Sequence, residues 1–368
     1  MAPADAQTLE LEARALVDSR FDTQTADRDQ VEFAGTLQLS AEQAVGEVDL
    51  SLIAQVYVTE EEQTVYLPEA RAKFSIDPVS FLVGVDIESW SRVEAVERLS
   101  LLNQTDLERD LSGETKLGEP MVRATVLGDV GLLGLYYLPL HQERPFGPDL
   151  SPQPKAVYET EAEEFAPSFV LRFSTAIDDL DLEAIAFHGT DREPSLRPGA
   201  SGPEALYPVV TQLGLGAQYL MGATFLRGEG VHVVGRPDAR GRTRTDQLYT
   251  VEVEHETYDP VGLGFDVAGI LSYAGSSLGE DSANDNQNDG YAGLRFTWND
   301  VGSTEISVLA GHDFDFGSTT LTVEFERRLN DRLLLSIEAF EVFDVGRDPA
   351  LSPLENAGGV RLELTTYF

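Results

Sequence analysis

Apolar and polar residues alternate strictly in short segments along the whole chain. In segment 8–21, one face carries Leu9, Leu11, Ala13, Ala15 and Val17. Charged residues fill most of the other face: Glu10, Glu12, Arg14 and Asp18. A period of two predicts β-strands with one apolar face. Segments of roughly 9 to 14 residues also have the length of a tilted strand that crosses a bilayer.

The alternation predicts eighteen strands. They lie at 8–21, 30–40, 46–58, 64–75, 79–89, 119–127, 130–138, 166–175, 180–189, 208–219, 222–236, 245–257, 261–275, 289–298, 303–313, 317–328, 331–344 and 357–368. No segment has the roughly 18 consecutive apolar residues of a transmembrane helix. A membrane-spanning form of this chain would therefore cross with strands.

The connections between these strands fall into two alternating sets. One set consists of tight turns with strong turn sequences at 76–78, 128–129, 176–179, 258–260, 299–302 and 330–331. The other contains the long connections 91–118, 139–165, 190–207, 276–288 and 345–356. Outer-membrane barrels combine short periplasmic turns with longer outer loops, and the two sets alternate as such a barrel requires.

The predicted fold is all-β: a transmembrane antiparallel up-and-down β-barrel of about 18 strands, with short periplasmic turns and longer outer loops. Sixteen strands remain an alternative because glycines blur the strand boundaries within 208–236. A pair of soluble β-sandwiches is the other alternative, since sandwich strands also alternate. Residues 1–7 are predicted to be an N-terminal tail, and residues 8–368 a single barrel domain.

The two ends of the chain agree with a location in the bacterial outer membrane. The first residues lack the charged and apolar regions of a signal peptide, so an exported chain would have lost its signal. The last strand alternates and ends on Phe368. It resembles the terminal signal by which outer-membrane barrels are recognised, and we expect the barrel-assembly machinery to bind Phe368.

Charge and composition narrow the partners. The chain has 26 basic and 64 acidic residues, for a formal charge of −38, and no cysteine. Nucleic acid is excluded as an expected partner because phosphate binding requires a basic face. An acidic outer surface fits outer-membrane lipid and lipopolysaccharide, with which it would share divalent cations; a salty habitat would explain the same charge.

The segment 64–148 resembles part of a proteobacterial family of porin-like outer-membrane proteins known mainly as a domain of unknown function. The resemblance rests on four short motifs: Trp90-Ser91-Arg92, Leu102-Asn103-Gln104 with Asp106-Leu107, Lys116-Leu117-Gly118-Glu119-Pro120-Met121, and Tyr136-Tyr137-Leu138-Pro139. It covers less than a quarter of the chain. The resemblance implies a porin-like barrel and says almost nothing about the transported solute.

The pore lining follows from the alternation, because apolar residues face lipid and the residues between them face the lumen. The predicted pore-lining residues are Glu69, Arg71, Lys73, Asp86, Glu88, Arg123, Arg172, Arg295, Glu324 and Glu326. Basic residues of segment 64–75 and acidic residues of segment 79–89 have two possible arrangements. Placed opposite each other they would create a transverse field; placed side by side they would form cross-strand ion pairs.

The long outer connection 91–118 is predicted to be a constriction loop, because long loops without structure of their own are commonly functional. The residues expected to set its selectivity are Arg92, Glu94, Glu97, Arg98, Asp106 and Arg109. Helical spacing of Val93, Val96, Leu99 and Leu102 favours a short helix within it. An outward cap with no role in the pore is the alternative.

These observations predict an outer-membrane channel for passive diffusion of small hydrophilic solutes, with a preference for cations. A substrate-specific transporter of apolar or amphipathic molecules is the first alternative, favoured by the glycine-rich segment 208–219. A plugged structural barrel is the second. The histidines belong to no catalytic signature, so we expect no enzyme, no cofactor and no bound metal. The sequence does not establish which solute is transported, how selective the channel is for ions, whether the lumen is open, or whether the chain forms a homo-oligomer.

Overall fold

Antiparallel strands account for most of the chain in the computed structural model. It describes residues 7–20, 30–59, 63–109, 113, 115–146, 152–200, 202–348, 351 and 358–367, without side chains for 7–20 and 30–33. The strands are β1 (Gln7–Arg20), β2 (Gln30–Val45), β3 (Val48–Val58), β4 (Gln63–Ile76), β5 (Val79–Asp86), β6 (Glu119–Gly128), β7 (Gly131–Leu138), β8 (Lys155–Tyr158), β9 (Ser168–Ile177), β10 (Leu180–Thr190), β11 (Ser195–Gly199), β12 (Gly202–Tyr207), β13 (Val209–Met221), β14 (Thr224–Val234), β15 (Asp246–Thr257), β16 (Phe265–Ser276), β17 (Asn288–Trp298), β18 (Glu305–Asp313), β19 (Thr319–Asn330), β20 (Leu333–Phe343) and β21 (Gly359–Tyr367). Two one-turn 3-10 helices span Glu163–Phe165 and Gly279–Asp281.

Eighteen of these strands form one closed barrel. Each pairs antiparallel with the next barrel strand along the chain, and β1 pairs with β21 from Glu12↔Tyr367 to Arg20↔Gly359. Closure gives every barrel strand two neighbours and removes exposed edges. The predicted fold and its count of eighteen are confirmed, and the sixteen-strand and sandwich alternatives are wrong.

The connections separate into two ends. Those at one end have two to seven residues, and all longer ones lie at the other end. The turns after β2 and β13 use Gly46 and Gly222, whose φ angles of 64° and 66° favour glycine. We call the two ends the turn end and the loop end. Strand β1 starts at the turn end, and β21 finishes there.

The barrel has an apolar outer surface and a polar lumen. On β15 the alternate residues Val251 and Val253 are 52% and 43% exposed, whereas the residues that follow each of them, Glu252 and Glu254, are buried. The exposed valines would be costly in water but stable against hydrocarbon. The same alternation gives an apolar outer surface to the other barrel strands whose side chains the structure describes.

A small second sheet lies at the loop end and was missed by the sequence analysis. Strand β12 pairs parallel with β8 and antiparallel with β11. All three are six residues or shorter and fall within connections that were expected to be irregular. Such short segments carry too few alternating positions to distinguish a strand from a loop.

Two further expectations concern the ends of the chain and membrane helices. Strand β1 begins at Gln7, so the predicted tail of residues 1–7 overlaps the barrel by one residue, and residues 1–6 lie outside the described part. Phe368 also lies outside it. Among the described residues, no helix is long and apolar enough to cross a membrane.

Candidate functional site

One wall of the lumen carries most of the predicted pore-lining residues. Arg71 on β4 forms ion pairs with Asp86 on β5 and with Glu69, whose carboxylate is 3.0 Å away. Arg123 on β6 forms an ion pair with Glu88. The opposite charges of β4 and β5 therefore lie side by side on one wall and not across the lumen from each other. This group comprises Glu69, Arg71, Lys73, Asp86, Glu88 and Arg123.

The remaining predicted residues lie on three other parts of the wall. Arg172 on β9 is bound to Glu183 on β10, with Nη2 donating to Oε2 at 3.0 Å. Arg295 is on β17. Glu324 on β19 accepts a hydrogen bond from the Ser307 hydroxyl at 2.7 Å, and Glu326 lies further along the same strand towards the turn end.

The described residues between β5 and β6, which are 87–109, 113 and 115–118, enter the barrel; we call them the inner loop. Its base is tied by Asn103, whose amide nitrogen donates to the carbonyl oxygens of Asp86 (3.0 Å) and Leu117 (2.8 Å). The expected short helix is wrong, because the described residues of the inner loop contain no helix. The residues with helical spacing, Val93, Val96, Leu99 and Leu102, are nevertheless all buried.

A single carboxylate on β14 holds the inner loop against the distant wall. Glu229 accepts hydrogen bonds from the Ser91 hydroxyl (2.8 Å) and from the backbone amides of Arg92 (2.7 Å), Arg98 (2.9 Å) and Leu99 (3.2 Å). Strand β14 is six strand pairings from β5 around the barrel. The inner loop must therefore cross the lumen to reach it.

Neighbouring positions on β15 extend this attachment. The Glu252 carboxylate accepts from the amides of Glu94 (3.0 Å) and Ala95 (3.2 Å). The Thr250 hydroxyl donates to the Val96 carbonyl at 3.0 Å and accepts from Arg98 Nε at 3.2 Å. Carboxylates that accept several amide hydrogens replace the water that a buried loop backbone would lose.

Two glycines on β13 make room for a leucine of the inner loop. A Cβ added at Gly214 would lie 2.7 Å from Leu99 Cδ2, and one added at Gly216 would lie 2.7 Å from Leu99 Cδ1. Leu99 is 1% exposed, so its side chain has little space into which to move. The glycine-rich strand is therefore a seat for the inner loop.

Replacing Gly216 by valine is expected to displace Leu99 and loosen residues 91–99. Overpacking of this kind costs about 1–3 kcal/mol. Hydrogen–deuterium exchange of these amides should accelerate, and Leu99→Ala should restore slow exchange in the double variant. Gly228→Val is the matched control, because a Cβ at Gly228 meets nothing closer than 3.9 Å. Equal acceleration in both valine variants would show that the close packing of Gly216 against Leu99 does not hold the inner loop in place.

The side chain of Glu94 lies between two arginines of the wall. Its Oε1 is 3.4 Å from Arg227 Nη1, and its Oε2 forms an ion pair with Arg295. Arg227 is also 2.9 Å from Glu252 and 2.6 Å from Glu254. The inner loop thus contributes a carboxylate to a wall cluster of mixed charge.

The other predicted residues at this level differ in their surroundings. Arg92 is paired with Asp181 on β10 at 3.4 Å. Arg98 is buried and donates to the Asn284 side chain and the Asn286 carbonyl, both at 2.7 Å. Glu97 is exposed.

A second arm of the inner loop reaches the opposite wall. Arg109 forms an ion pair with Asp106, donates to the Gln55 side chain at 2.8 Å and stacks its guanidinium 3.7 Å from the Tyr66 ring centre. Its carbonyl accepts from Arg361 on β21 at 2.8 Å. Strand β21 is seven strand pairings from β14. The inner loop is therefore fixed at two widely separated parts of the wall.

Arg192, just after β10, links the inner loop to the loop end. It forms a buried ion pair with Glu119 and donates to the carbonyls of Leu102 (3.0 Å) and Thr190 (2.7 Å). Its Nη1 also donates to His141 Nδ1 at 3.1 Å. Burial, followed by the charge of Arg192, lowers the pKa of His141 to about 2, so that imidazole is neutral.

Replacing Arg192 by methionine is expected to destabilise the barrel by about 3–5 kcal/mol, because it leaves the fully buried Glu119 without its counter-charge. Urea-induced unfolding in lipid vesicles measures the loss. Arg197→Met is the control: Arg197 is 46% exposed and paired with Glu204 at 2.9 Å, so the loss should stay below about 1 kcal/mol. Equal losses would contradict the buried role of Arg192.

Sequence reasoning missed several residues that hold the inner loop, among them Glu229, Arg192 and Glu119. Glu229 lies between Gly228 and Gly230 on β14, where the strand boundaries were least certain. An acidic residue flanked by glycines was the available signal. Within the described parts of the chain, no group of three or more His, Asp or Glu side chains is arranged to hold a metal ion.

Comparisons with known proteins identify the fold but no sequence relative. No family model matches the chain, and no curated protein sequence matches it. Among solved structures, Pseudomonas aeruginosa OccK11 (OpdR) has a TM-score of 0.61 at 13% identity over 98% of this chain and 96% of its own. Acinetobacter baumannii OccAB1 has a TM-score of 0.62 at 8% identity over 98% and 96%. Pseudomonas aeruginosa OccK2 (OpdF), solved with glucuronate, has 0.60 at 12% identity over 98% and 97%.

These structures are β-barrel outer-membrane porins. The porin-like barrel implied by the resemblance over 64–148 is thereby confirmed as a fold. The lipid-facing surface and the shared architecture agree with the predicted location in the bacterial outer membrane.

Proposed function

We propose that the chain is an outer-membrane channel through which small hydrophilic solutes diffuse passively. The observation that carries this proposal is the inner loop, which enters the barrel and attaches to β14, β15 and β21. A loop fixed across the lumen would narrow the passage, as a constriction does. The predicted role of 91–118 as a constriction loop becomes part of this proposal.

We propose a preference for cations because of the charges at the constriction. Glu94, Glu252, Glu254 and Glu305 surround Arg227 and Arg295. Four carboxylates against two guanidiniums leave this part of the wall negative. A negative, low-dielectric passage raises the local concentration of cations.

The alternative of a carrier for apolar molecules loses the feature that favoured it. That alternative required an apolar track along the glycine-rich strand β13. Gly214 and Gly216 lie against Leu99, so this surface is already covered by the chain itself. An aqueous passage lined by ion pairs fits the remaining lumen better.

The test is single-channel recording of the refolded protein in a planar bilayer under a salt gradient. We expect stable conductance steps and a reversal potential displaced towards that of the cation. Silence from a properly folded barrel would refute the channel and favour the plugged structural barrel. A reversal potential displaced towards the anion would keep the channel and overturn the cation preference.

A further inference from the structure

Four of the five histidines have exposed side chains on the outer surface of the barrel. They are His188, His232, His255 and His312, on strands β10, β14, β15 and β18. His188, His232 and His312 lie close to the loop end of their strands, and His255 lies close to the turn end. A polar ring that faces lipid is best placed at the level of the headgroups.

His188 stands at the loop end of an apolar groove of about 500 Å³. Exposed Leu135 and Leu171 lie side by side within it, and the small side chains of Ala124 and Ala186 leave space on the two strands that flank these leucines. The Tyr137 and Phe169 rings, 5.5 Å apart, lie beside the histidine near the loop end.

His312 stands at the loop end of a second groove, of about 870 Å³. On its lipid-facing side, Val251 and Leu271 lie on β15 and β16, and the small side chains of Ala292 and Ala310 leave space on the next two strands, β17 and β18. Tyr273 lies near the loop end of this groove, and its hydroxyl donates to Asn288 at 2.8 Å. The amide of Asn288 in turn donates to Asp315, the acidic group at this rim.

Both histidines are held in the same way. Nδ1 of His188 is 3.0 Å from the Thr211 hydroxyl, and Nδ1 of His312 is 2.9 Å from the Thr319 hydroxyl. Each threonine lies directly opposite its histidine on the next strand. When the hydroxyl donates to Nδ1, the neutral ring carries its proton on Nε2, which is then a hydrogen-bond donor.

We propose that each groove binds one lipopolysaccharide molecule of the outer leaflet, with an acyl chain in the apolar groove and a phosphate at the histidine Nε2. The inference rests on the membrane placement of the proposed function. An apolar groove that ends at headgroup level in a histidine, whose Nε2 donates when the threonine hydroxyl donates to Nδ1, matches a phosphorylated amphiphile. Both grooves combine an apolar lining with a histidine at the loop end.

Native mass spectrometry of the whole detergent-solubilised chain with added lipid A tests this proposal. We expect two bound lipids on the wild type. His188→Leu and His312→Leu should each weaken one site about tenfold, which corresponds to the loss of one charge-assisted hydrogen bond. Ala186→Phe and Ala310→Phe should each abolish one site by filling a groove.

The chain supplies two matched controls. His255 also has Nδ1 close to a threonine hydroxyl, that of Thr224 at 2.8 Å, but lies at the turn end. His232 lies at the loop end and lines neither groove. His255→Leu and His232→Leu should leave both bound lipids in place. An equal loss in these variants would overturn the proposal.

Three other results would also overturn it. Unchanged lipid binding in the groove-filling variants would show that the grooves are not the binding sites. A change in oligomeric mass in those variants would make a second copy of the chain the occupant. Equal binding of dephosphorylated lipid A or of phosphatidylglycerol would refute recognition of lipopolysaccharide phosphate. Conductance is a separate readout, because the grooves lie outside the lumen, so failure of the channel and failure of lipid docking are distinguishable.

Discussion

Replacing Glu229 by glutamine is expected to raise the single-channel conductance several-fold. The carboxylate accepts from one hydroxyl and three backbone amides of the inner loop. Each hydrogen bond to a charged group contributes about 1.5–3 kcal/mol, and about 1.4 kcal/mol already changes an equilibrium tenfold. The amide side chain keeps one acceptor and places donors opposite the loop amides. The loop should therefore spend much of its time away from the wall.

Glu324→Gln is the matched control for this variant. Glu324 also faces the lumen and accepts a hydroxyl hydrogen bond, from Ser307, but lies on β19 away from the inner-loop attachments of β14 and β15. Its removal should leave the size of the conductance steps unchanged. If Glu229→Gln conducts like the wild type, or if Glu324→Gln conducts as strongly as Glu229→Gln, the inner loop is not what limits the current.

The barrel itself was predictable from the sequence because its determinants are local. Side chains of a strand alternate between two faces whatever the strand pairs with, so Val251 and Val253 against Glu252 and Glu254 are visible without a structure. Turn residues mark the strand ends in the same local way. The strands of the small sheet, β8, β11 and β12, are too short to show this alternation clearly, and for that reason they were not predicted.

The conformation of the inner loop was not predictable, because its partners are distant in the chain. Val93, Val96 and Leu99 have helical spacing, yet each is buried within an irregular segment. Their burial depends on the surfaces of β13, β14 and β15, more than a hundred residues later. The Arg98 and Leu99 amides, which would have bonded along a helix starting at Val93, bond to Glu229 instead.

The pairing of the lumen charges was not predictable either, because it depends on the register between neighbouring strands. Alternation places Glu69, Arg71 and Asp86 on the lumen face but does not fix their contacts. Strand register then sets Arg71 next to Asp86. Side-by-side pairing reduces the transverse field that separated clusters would produce. The net charge at the inner loop is therefore the main electrostatic contribution to the proposed cation preference.

Glu94→Gln tests the proposed cation preference and should move the reversal potential away from that of the cation. Glu94 is the inner-loop carboxylate that faces Arg227 and Arg295. A unit charge at about 4 Å is worth about 1 kcal/mol in water, or roughly a fivefold change in local ion occupancy. Arg295 would keep only its longer contacts, at 3.5 Å to Glu254 and 3.8 Å to Glu305.

Glu97→Gln separates the position of the charge from its presence. Glu97 belongs to the same loop and is exposed. Because both variants replace one glutamate by glutamine, they leave the chain with the same net charge. Only Glu94 lies against the arginines of the wall. A large shift for Glu94→Gln and a small one for Glu97→Gln would place the selectivity at the Arg227–Arg295 cluster. Equal shifts would mean that the total acidity of the mouth, and not this cluster, selects the ion.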